Sequence, residues 1–255
     1  MKKQKIILIT GAGSGLGKSI AEKLICKGHV VYGTYRTNND MKIVGITFIK
    51  SDITSEKDNQ DLIKKILQKE KQIDVIINNA GMTLSGPTLS FSAEDFQKIL
   101  EINVIGPFRL MKIACSSKIR PSLIINITSL NAFLSLPNFG LYSASKHAME
   151  ALGLALRYEL APQTKIVNVA PGALKREGAP KMPHKPAREK FPFLNWIIPL
   201  TSQKDVAKVI VNLIDASNVP RRVIVGRDAQ IINLMQRILP SFIFDRILFY
   251  IWNKK

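Results

Sequence analysis

Short runs of apolar, mostly β-branched residues alternate along the chain with segments of helical periodicity. Runs that are apolar on both faces are typical of strands buried between two layers of helices. Seven such runs occur, at residues 5–10, 30–35, 46–50, 73–78, 122–128, 165–170 and 222–226. The segments between them place apolar residues three and four positions apart, as in Ile63, Ile66 and Leu67. This alternation predicts an α/β fold with a doubly wound parallel sheet, in a single domain over residues 1–255.

The chain carries 37 Lys and Arg against 19 Asp and Glu, which gives a net charge of +18. Such an excess favours anionic partners, namely phosphates, nucleic acid or anionic membrane surfaces. The basic residues are spread along the chain without an Arg-rich run, so no nucleic-acid partner is expected. The two cysteines, Cys26 and Cys115, have no metal-site or disulfide spacing. We therefore expect a cytoplasmic protein whose two thiols are buried or unreactive.

A glycine-rich turn, Thr10-Gly-Ala-Gly-Ser-Gly-Leu-Gly17, follows the first predicted strand and opens directly into a helix. Glycines let the backbone approach a pyrophosphate, whose charge then meets the free N–H groups of the helix. The spacing Gly11-xxx-Gly15-x-Gly17 differs from the general dinucleotide fingerprint G-x-G-x-x-G. On this motif alone, a merely structural turn remains an alternative to a dinucleotide site.

The end of the second predicted strand bears on the choice between NAD and NADP. In dinucleotide-binding folds an acidic residue at this point bonds the ribose hydroxyls of NAD, whereas an Arg accommodates the 2′-phosphate of NADP. The strand here ends Gly33-Thr34-Tyr35-Arg36, without an Asp or Glu. Arg36 therefore favours NADP, and Lys18 adds positive charge near the phosphates. The alternative is that Arg36 is only a solvated surface charge.

Tyr142 and Lys146 lie four residues apart in the stretch YSASK, within a predicted helix. Positions i and i+4 share one face of a helix, about 5–6 Å apart, so both side chains can address the same small molecule. A cation beside a tyrosine favours its phenolate form and brings the phenol into the range of acid/base catalysis. An ordinary surface helix would have the same spacing, so the rest of the chain must decide.

With these motifs the chain resembles the short-chain dehydrogenase/reductase family over most of its length. Several further stretches match motifs of that family. They are Asn78-Asn-Ala-Gly81 after the fourth strand, Asp52 after the third, Asn103 in EINVIG, Ser129 at 13 residues before Tyr142, and Pro171-Gly172 after the sixth strand. Taken singly, each of these residues could have a purely structural role. The whole set in this order along the chain is far more specific to the family.

The resemblance implies a Rossmann-type fold and a set of four catalytic residues. Tyr142 would exchange a proton with the substrate oxygen, as the acid in reduction and the base in oxidation. Lys146 would assist Tyr142 and bond the nicotinamide ribose, while Ser129 would hold the substrate oxygen. Asn103 would anchor a water on a proton path from Lys146. The chain is therefore expected to be an NAD(P)-dependent oxidoreductase that interconverts an alcohol and its carbonyl compound.

The resemblance also implies which residues contact the cofactor, with NADP expected rather than NAD. They are Gly11, Ser14, Gly15, Leu16, Gly17, Arg36, Asp52, Ile53, Asn79, Ala80, Gly81, Tyr142, Lys146, Pro171 and Gly172. Asp52 would bond the adenine ring. One departure stands out, because the family commonly has a Thr four residues after Pro171-Gly172 and this chain continues Ala173-Leu174-Lys175-Arg176. Either another group holds the nicotinamide amide, or the loop is arranged differently.

The substrate is expected to enter between the loop after Ser129 and a lid at about residues 173–200. Both segments contain large apolar residues, and apolar lining is usual for a small-molecule pocket, so a lipophilic alcohol or ketone is predicted. Core or subunit packing by the same residues is the alternative. Two other functions remain open: a reductase of carrier-bound 3-oxoacyl chains, which would use the basic surface to meet an acidic carrier, and a non-catalytic dinucleotide-binding regulator.

The C-terminal tail, at about residues 228–255, continues past the last predicted strand with apolar residues at helical spacing. It is too short and too charged to span a membrane. Phe249, Tyr250 and Trp252 beside the terminal lysines suit a helix lying in a membrane interface. The alternative is packing on its own domain or on a second subunit, and the resemblance implies a homodimer or homotetramer.

Overall fold

The computed structural model describes residues 3–37, 43–116, 120–175 and 200–253. Within them lies one sheet of seven parallel strands in the order β3-β2-β1-β4-β5-β6-β7. The strands are β1 (Ile6–Ile9), β2 (Val30–Tyr35), β3 (Ile46–Lys50), β4 (Val75–Asn78), β5 (Leu123–Ile127), β6 (Lys165–Pro171) and β7 (Arg222–Val225). Each coincides with a predicted apolar run, and no bound differs by more than two residues. The predicted doubly wound parallel sheet is therefore confirmed.

Helices connect the strands on both faces of the sheet. They are α1 (Gly15–Cys26), α2 (Glu56–Glu70), α3 (Ala93–Leu100), α4 (Gly106–Ser116), α5 (Gly140–Glu159), α6 (Gln203–Asp215), α7 (Arg227–Ile238) and α8 (Ser241–Asn253). Short segments of tighter or wider winding lie at 88–90, 101–105 and 130–132. Ser55, Ser92 and Ser202 begin α2, α3 and α6, and each accepts a backbone N–H of the first turn. Such caps satisfy donors that a helix leaves unpaired at its start.

The alternation of side chains along β1 shows how the strands are buried on both faces. Ile7 and Ile9 face a core that they share with α1 and α6, whereas Ile6 and Leu8 face a second core shared with α2, α4 and α5. Successive strand residues point to opposite faces, so a fully apolar run supplies both cores at once. This is why these strands read as continuous apolar segments in the sequence.

A ladder of buried asparagines crosses the three strands that carry much of the site. The Nδ2 of Asn78 donates to Oδ1 of Asn126 at 2.8 Å, and the Nδ2 of Asn126 donates to Oδ1 of Asn168 at 3.1 Å. Asn168 in turn donates to the backbone oxygen of Glu150 on α5 at 2.9 Å. The three residues are paired in the sheet register. The ladder therefore ties β4, β5, β6 and α5 together.

Two further predictions concern membrane-spanning helices and the two cysteines. In that part of the chain, no helix combines the length and apolarity that crossing a membrane would require. Cys115 is buried, and burial raises the pKa of its thiol. Cys26 is exposed, so of the two alternatives expected for each thiol it is not buried, and its lack of reactivity stays a prediction. Its exposure arises because Cys26 is the last residue of α1, where the helix leaves the core.

Candidate active site

The carboxyl ends of β1 and β4 lie side by side, where the strand order reverses along the sheet. Open α/β sheets form a crevice at such a point, and ligands bind there. After β1 the chain turns through Gly11 and Gly15, whose φ angles of 66° and 53° lie in the left-handed region that favours glycine. A Cβ at Gly17 would be 2.6 Å from Nδ2 of Asn79 and in contact with the backbone oxygen of Gly11. The turn is thus packed directly on the segment that follows β4.

Thr10 joins the glycine turn to the segment after β4. Its Oγ1 accepts the N–H groups of Asn79 at 3.0 Å and Ala80 at 2.9 Å. The Nδ2 of Asn79 donates back to the oxygens of Thr10 and Gly11 at 2.9 and 3.1 Å. Thr10 is 1% exposed, whereas Asn79 and Ala80 are half-buried. Sequence reasoning did not assign a role to Thr10, although its place directly before the glycines was the available signal.

The start of α1 fits the pyrophosphate of a dinucleotide. Ser14 and Gly15 are exposed, whereas Leu16 and Gly17 are buried against the sheet. Ser14 occupies the cap position but makes no side-chain hydrogen bond to the first turn, unlike the serines at α2, α3 and α6. The first N–H groups of α1 are therefore not capped by that side chain, and anions bind favourably at such a helix start.

The expected adenosine side of the crevice lies along the ends of β2 and β3. Arg36 follows β2 directly and is exposed, as is Lys18, which pairs with Glu22 at 3.8 Å. The hydroxyl of Thr34 accepts the N–H of Gly11 at 3.1 Å, which holds the end of β2 against the glycine turn. A guanidinium at this position is available to an anionic group bound at the crevice.

Asp52 and Ile53 follow β3 and are half-buried. Oδ1 of Asp52 accepts the N–H of Thr54 at 2.9 Å and its hydroxyl at 2.8 Å, so Asp52 also shapes its own turn. The N–H of Asp52 donates to Asp58, and this bond is the main reason why the pKa of Asp58 is lowered. Both interpretations of Asp52, turn former and adenine contact, are compatible with this geometry.

Tyr142 and Lys146 lie on the first turns of α5, one turn apart as predicted. The Nζ of Lys146 is 5.8 Å from the centre of the Tyr142 ring. Lys146 is buried, at 7% exposure, and donates to the backbone oxygen of Ile127 at the end of β5 at 2.9 Å. Tyr142 is partly exposed, and its ring meets the edge of Phe139. A buried ammonium and an accessible phenol therefore share one side of the helix.

Asn103 links the segment after β4 to α5 through hydrogen bonds. It lies in a π-helical turn, Glu101–Ile105, a local widening that is frequent at functional sites. Its amide donates to Met82 O and Ser145 Oγ, both at 3.0 Å, and its Oδ1 accepts the N–H of Met82 at 2.8 Å. A Cβ on Gly81 would be 3.1 Å from this Oδ1 and 3.8 Å from Nζ of Lys146. The structure thus brings Asn103, Gly81 and Lys146 together.

Ser129 follows β5 and begins the short helix Leu130–Ala132. Its Oγ accepts the N–H of Asn131 at 3.2 Å, and Asn131 in turn donates to Ser143 Oγ on α5 at 3.3 Å. The hydroxyl is therefore held at the carboxyl end of the sheet, on a loop that is attached to the helix carrying Tyr142. Asn131 and Ser143, like Thr10, were not singled out from the sequence.

Pro171 ends β6, and Gly172 after it donates its N–H to Val225 O at 2.8 Å. The loop that follows is bound by Asp228, a buried residue of α7 to which the sequence gave no role. Its Oδ2 accepts the N–H of Ala173 at 2.6 Å. The predicted lid falls mostly on residues 176–199, which lie outside the described residues, as do the aromatic residues placed there.

Apolar residues of the loop after Ser129 pack in a core, so they do not line the substrate pocket that the sequence predicts. Leu130 and Leu134 are buried in a third core with Ala229 of α7 and Phe244 of α8, and Phe133 and Leu136 pack against it. Gln236 on α7 donates to the backbone oxygen of Phe133 at 3.0 Å. The tail therefore packs with one side on its own domain, and it supports the loop that carries Ser129.

A family model described as short chain dehydrogenase matches residues 5–186 of this chain. Among curated proteins, the 3-ketodihydrosphingosine reductase of Bacteroides thetaiotaomicron is 36% identical over 171 residues, which are 66% of this chain and 63% of that protein. The match thus spans less than two thirds of that relative's length.

Two solved structures resemble the fold over a larger part of the chain. A short-chain dehydrogenase from Streptomyces avermitilis is 26% identical, with a TM-score of 0.78, over 97% of this chain and 96% of that one. ElxO, solved with NADP bound, is 29% identical, with a TM-score of 0.76, over 87% of this chain and 96% of that one. The likeness in fold therefore continues beyond the segment that the family model matches.

Proposed function

This chain belongs to the short-chain dehydrogenase family, and from that premise we propose that it is an NADP-dependent oxidoreductase acting on a lipophilic alcohol or ketone. The observation that carries the proposal is that Lys146 and Asn103 meet beside Gly81, with the Tyr142 ring next to the Lys146 ammonium. A non-catalytic regulator has no need for a buried lysine held beside an accessible tyrosine. Catalysis is therefore favoured over the regulator alternative.

Each catalytic side chain has a separate task in this mechanism. The phenol of Tyr142 gives a proton to the carbonyl oxygen in reduction and takes it back in oxidation. Lys146 holds positive charge beside that ring, and Ser129 donates a hydrogen bond to the same substrate oxygen as negative charge develops. When bound, the nicotinamide cofactor supplies or accepts the hydride. Asn103 keeps the lysine's surroundings in place through Met82 and Ser145.

The proposal is tested by replacing Tyr142 with Phe. The ring stays and only the acid/base group is lost, so turnover should fall on the order of 10²-fold or more, with NADPH binding retained. Turnover is followed by NADPH absorbance with a panel of ketones and alcohols, and binding by NADPH fluorescence. Tyr158→Phe is the matched control, because Tyr158 lies on the same helix but is 71% exposed. A Tyr142→Phe enzyme as active as the control would overturn the assignment.

The preference for NADP rests on Arg36 and is supported by the NADP bound to the related ElxO. Arg36→Asp replaces a phosphate partner with a like charge, so NADP(H) affinity should fall far more than NAD(H) affinity. Lys98→Asp makes the same change of charge at an exposed position on α3 and serves as the control. Equal losses for both cofactors, or a wild-type preference for NAD(H), would contradict the choice.

The lipophilic substrate is supported by the similarity to a reductase named for 3-ketodihydrosphingosine. A series of ketones of increasing chain length separates it from small carbonyl compounds, because each buried CH₂ adds about 0.8 kcal/mol of binding. The second candidate is a 3-oxoacyl chain on an acidic carrier protein. Activity on the carrier-bound chain but not on the free long-chain ketone would replace the first candidate with the second.

Five large apolar residues of the tail are more than half exposed. Leu234 and Ile238 of α7 and Phe242, Phe249 and Tyr250 of α8 are between 55% and 71% exposed. Arg246 is exposed too, and lies at helical spacing between Phe242 and Phe249. A large exposed apolar patch marks an interaction site, and aromatic residues mixed with basic ones suit an anionic lipid surface. We propose that these residues dock on the membrane from which the lipid-like substrate is taken.

Vesicle co-sedimentation at low salt tests the docking. The full chain should pellet with phosphatidylglycerol-containing vesicles more than with pure phosphatidylcholine vesicles, and Phe242→Ser/Phe249→Ser should stay in the supernatant. Leu89→Ser is the control, because Leu89 is 99% exposed at a site away from the tail. If the wild type stays in the supernatant, membrane docking is wrong. If, in addition, the molar mass measured by light scattering is half as large for the double variant as for the wild type, a second copy of the chain covers these residues. A homodimer or homotetramer is itself a prediction from the family.

A further inference from the structure

The carboxylate of Asp228 is buried close to the proposed site but has no part in the proposed chemistry. It is 4% exposed and is the second residue of α7. Its Oδ2 accepts the N–H of Ala173 at 2.6 Å, and its Oδ1 accepts the hydroxyl of Thr201 at 3.3 Å. The first turn of a helix also stabilises negative charge through its free N–H groups. Asp228 thus combines burial, charge and two protein donors.

The two donors come from segments that lie side by side. The chain leaving β6 and the chain entering α6 are joined at Leu174 and Thr201 by a parallel bridge. Thr201 donates its N–H to Ala173 O at 2.9 Å, and Lys175 donates its N–H to Thr201 O at 3.0 Å. Asp228 binds one group from each segment, so a single carboxylate fixes both.

Two glycines make room for this carboxylate. A Cβ on Gly172 would be 2.5 Å from Oδ2 of Asp228, and a Cβ on Gly226 would be 2.7 Å from its Oδ1. A side chain at either position would force its neighbours to shift, so both glycines favour the close approach of the backbone to this carboxylate. Gly226 also has a φ of 113°, which favours glycine independently.

We propose that Asp228 is a positioning residue that fixes the backbone of Pro171–Lys175, the wall against which the nicotinamide would lie. The inference rests on the proposed function. Asp228 touches neither substrate nor cofactor in this role.

Asp228→Ala and Asp228→Asn separate positioning from mere packing. Alanine removes both acceptors, whereas asparagine keeps the shape and one oxygen that can accept the Ala173 N–H. Asp228→Ala loses both acceptors and should weaken NADPH binding about 10-fold or more, whereas Asp228→Asn keeps one acceptor and should weaken it less than about 3-fold. Hydrogen exchange of the amides at 172–175, measured without cofactor, should accelerate about 10-fold in the alanine variant only.

Thr164→Val is the control for lost stability. Thr164 is 1% exposed and donates to Pro121 O at 2.8 Å, at the opposite end of the sheet, so its loss should affect neither readout. If Asp228→Ala does not fold, Thr201→Val removes the hydroxyl that Asp228 accepts and should show the same effects at a few-fold. Unchanged loop exchange and unchanged NADPH affinity in these variants would overturn the proposal. If the wild type binds neither NADPH nor NADH, the proposed function fails, and the exchange measurement alone still decides whether Asp228 holds the loop.

Discussion

Replacing Thr10 with Val removes one hydroxyl from the junction between the glycine turn and the segment after β4. The change keeps the β-branched shape at a position that is 1% exposed. It deletes the acceptor for two backbone donors, the N–H groups of Asn79 and Ala80. The variant therefore tests whether this junction holds the cofactor crevice together, without creating a cavity.

The expected loss follows from the two donors. A buried donor left without a partner costs about 1–3 kcal/mol. Asn79 and Ala80 are half-buried, so water relieves part of this cost, and we expect Thr10→Val to lose about 2–4 kcal/mol of unfolding free energy. Thr10→Ser keeps the hydroxyl and loses one buried methyl group, which should cost about 1 kcal/mol.

Urea unfolding, followed by circular dichroism, gives the free energy of unfolding of both variants by linear extrapolation. NADPH titration on the same samples shows whether the crevice has changed. Thr10→Val should be the less stable variant and should bind NADPH more weakly than Thr10→Ser. Two variants within about 0.5 kcal/mol of each other, with equal NADPH affinity, would refute the role given to the hydroxyl.

Three further predictions concern other parts of the same structure. Gly17→Ala places a Cβ 2.6 Å from Asn79 Nδ2, so the turn must shift. NADPH affinity should therefore fall about 10-fold or more in a fluorescence titration. Unchanged affinity would contradict the close packing of the turn. Burial lowers the pKa of His29, so its neutral form is favoured in the folded state, and the free energy of unfolding should fall as the pH drops through about 6.5. The fall should be smaller in His29→Gln. An identical pH dependence in the two proteins would contradict this role of His29. Asn103→Asp keeps the acceptor for the Met82 N–H but loses the donor to Met82 O and Ser145 Oγ, so it should lower the free energy of unfolding by about 1–3 kcal/mol in urea. Wild-type stability would argue against the role given to the Asn103 amide.

The strand pattern was predictable because both faces of each strand are buried. The run IILI of β1 is apolar throughout, so its assignment needs no knowledge of its neighbours. The surroundings of the tail were less predictable, because an apolar stripe on a helix does not indicate which surface packs against it. In the structure one side, including Phe244, packs on Leu130 and Leu134, while Phe242 and Phe249 stay exposed. The family and the doubly wound parallel sheet are confirmed, whereas the roles of individual site residues stay predictions.

The sequence by itself determined the features that depend on neighbours along the chain. The glycine turn needs only a strand before it and a helix after it, and Tyr142 and Lys146 meet because a helix brings i and i+4 together. Only the tertiary structure decided the contacts between distant segments. Asp228 meets Ala173 across 55 residues, and Thr10 meets Ala80 across 70. Such pairs leave no period in the sequence, because a carboxylate or hydroxyl becomes a partner only when folding buries it beside a donor that water can no longer satisfy.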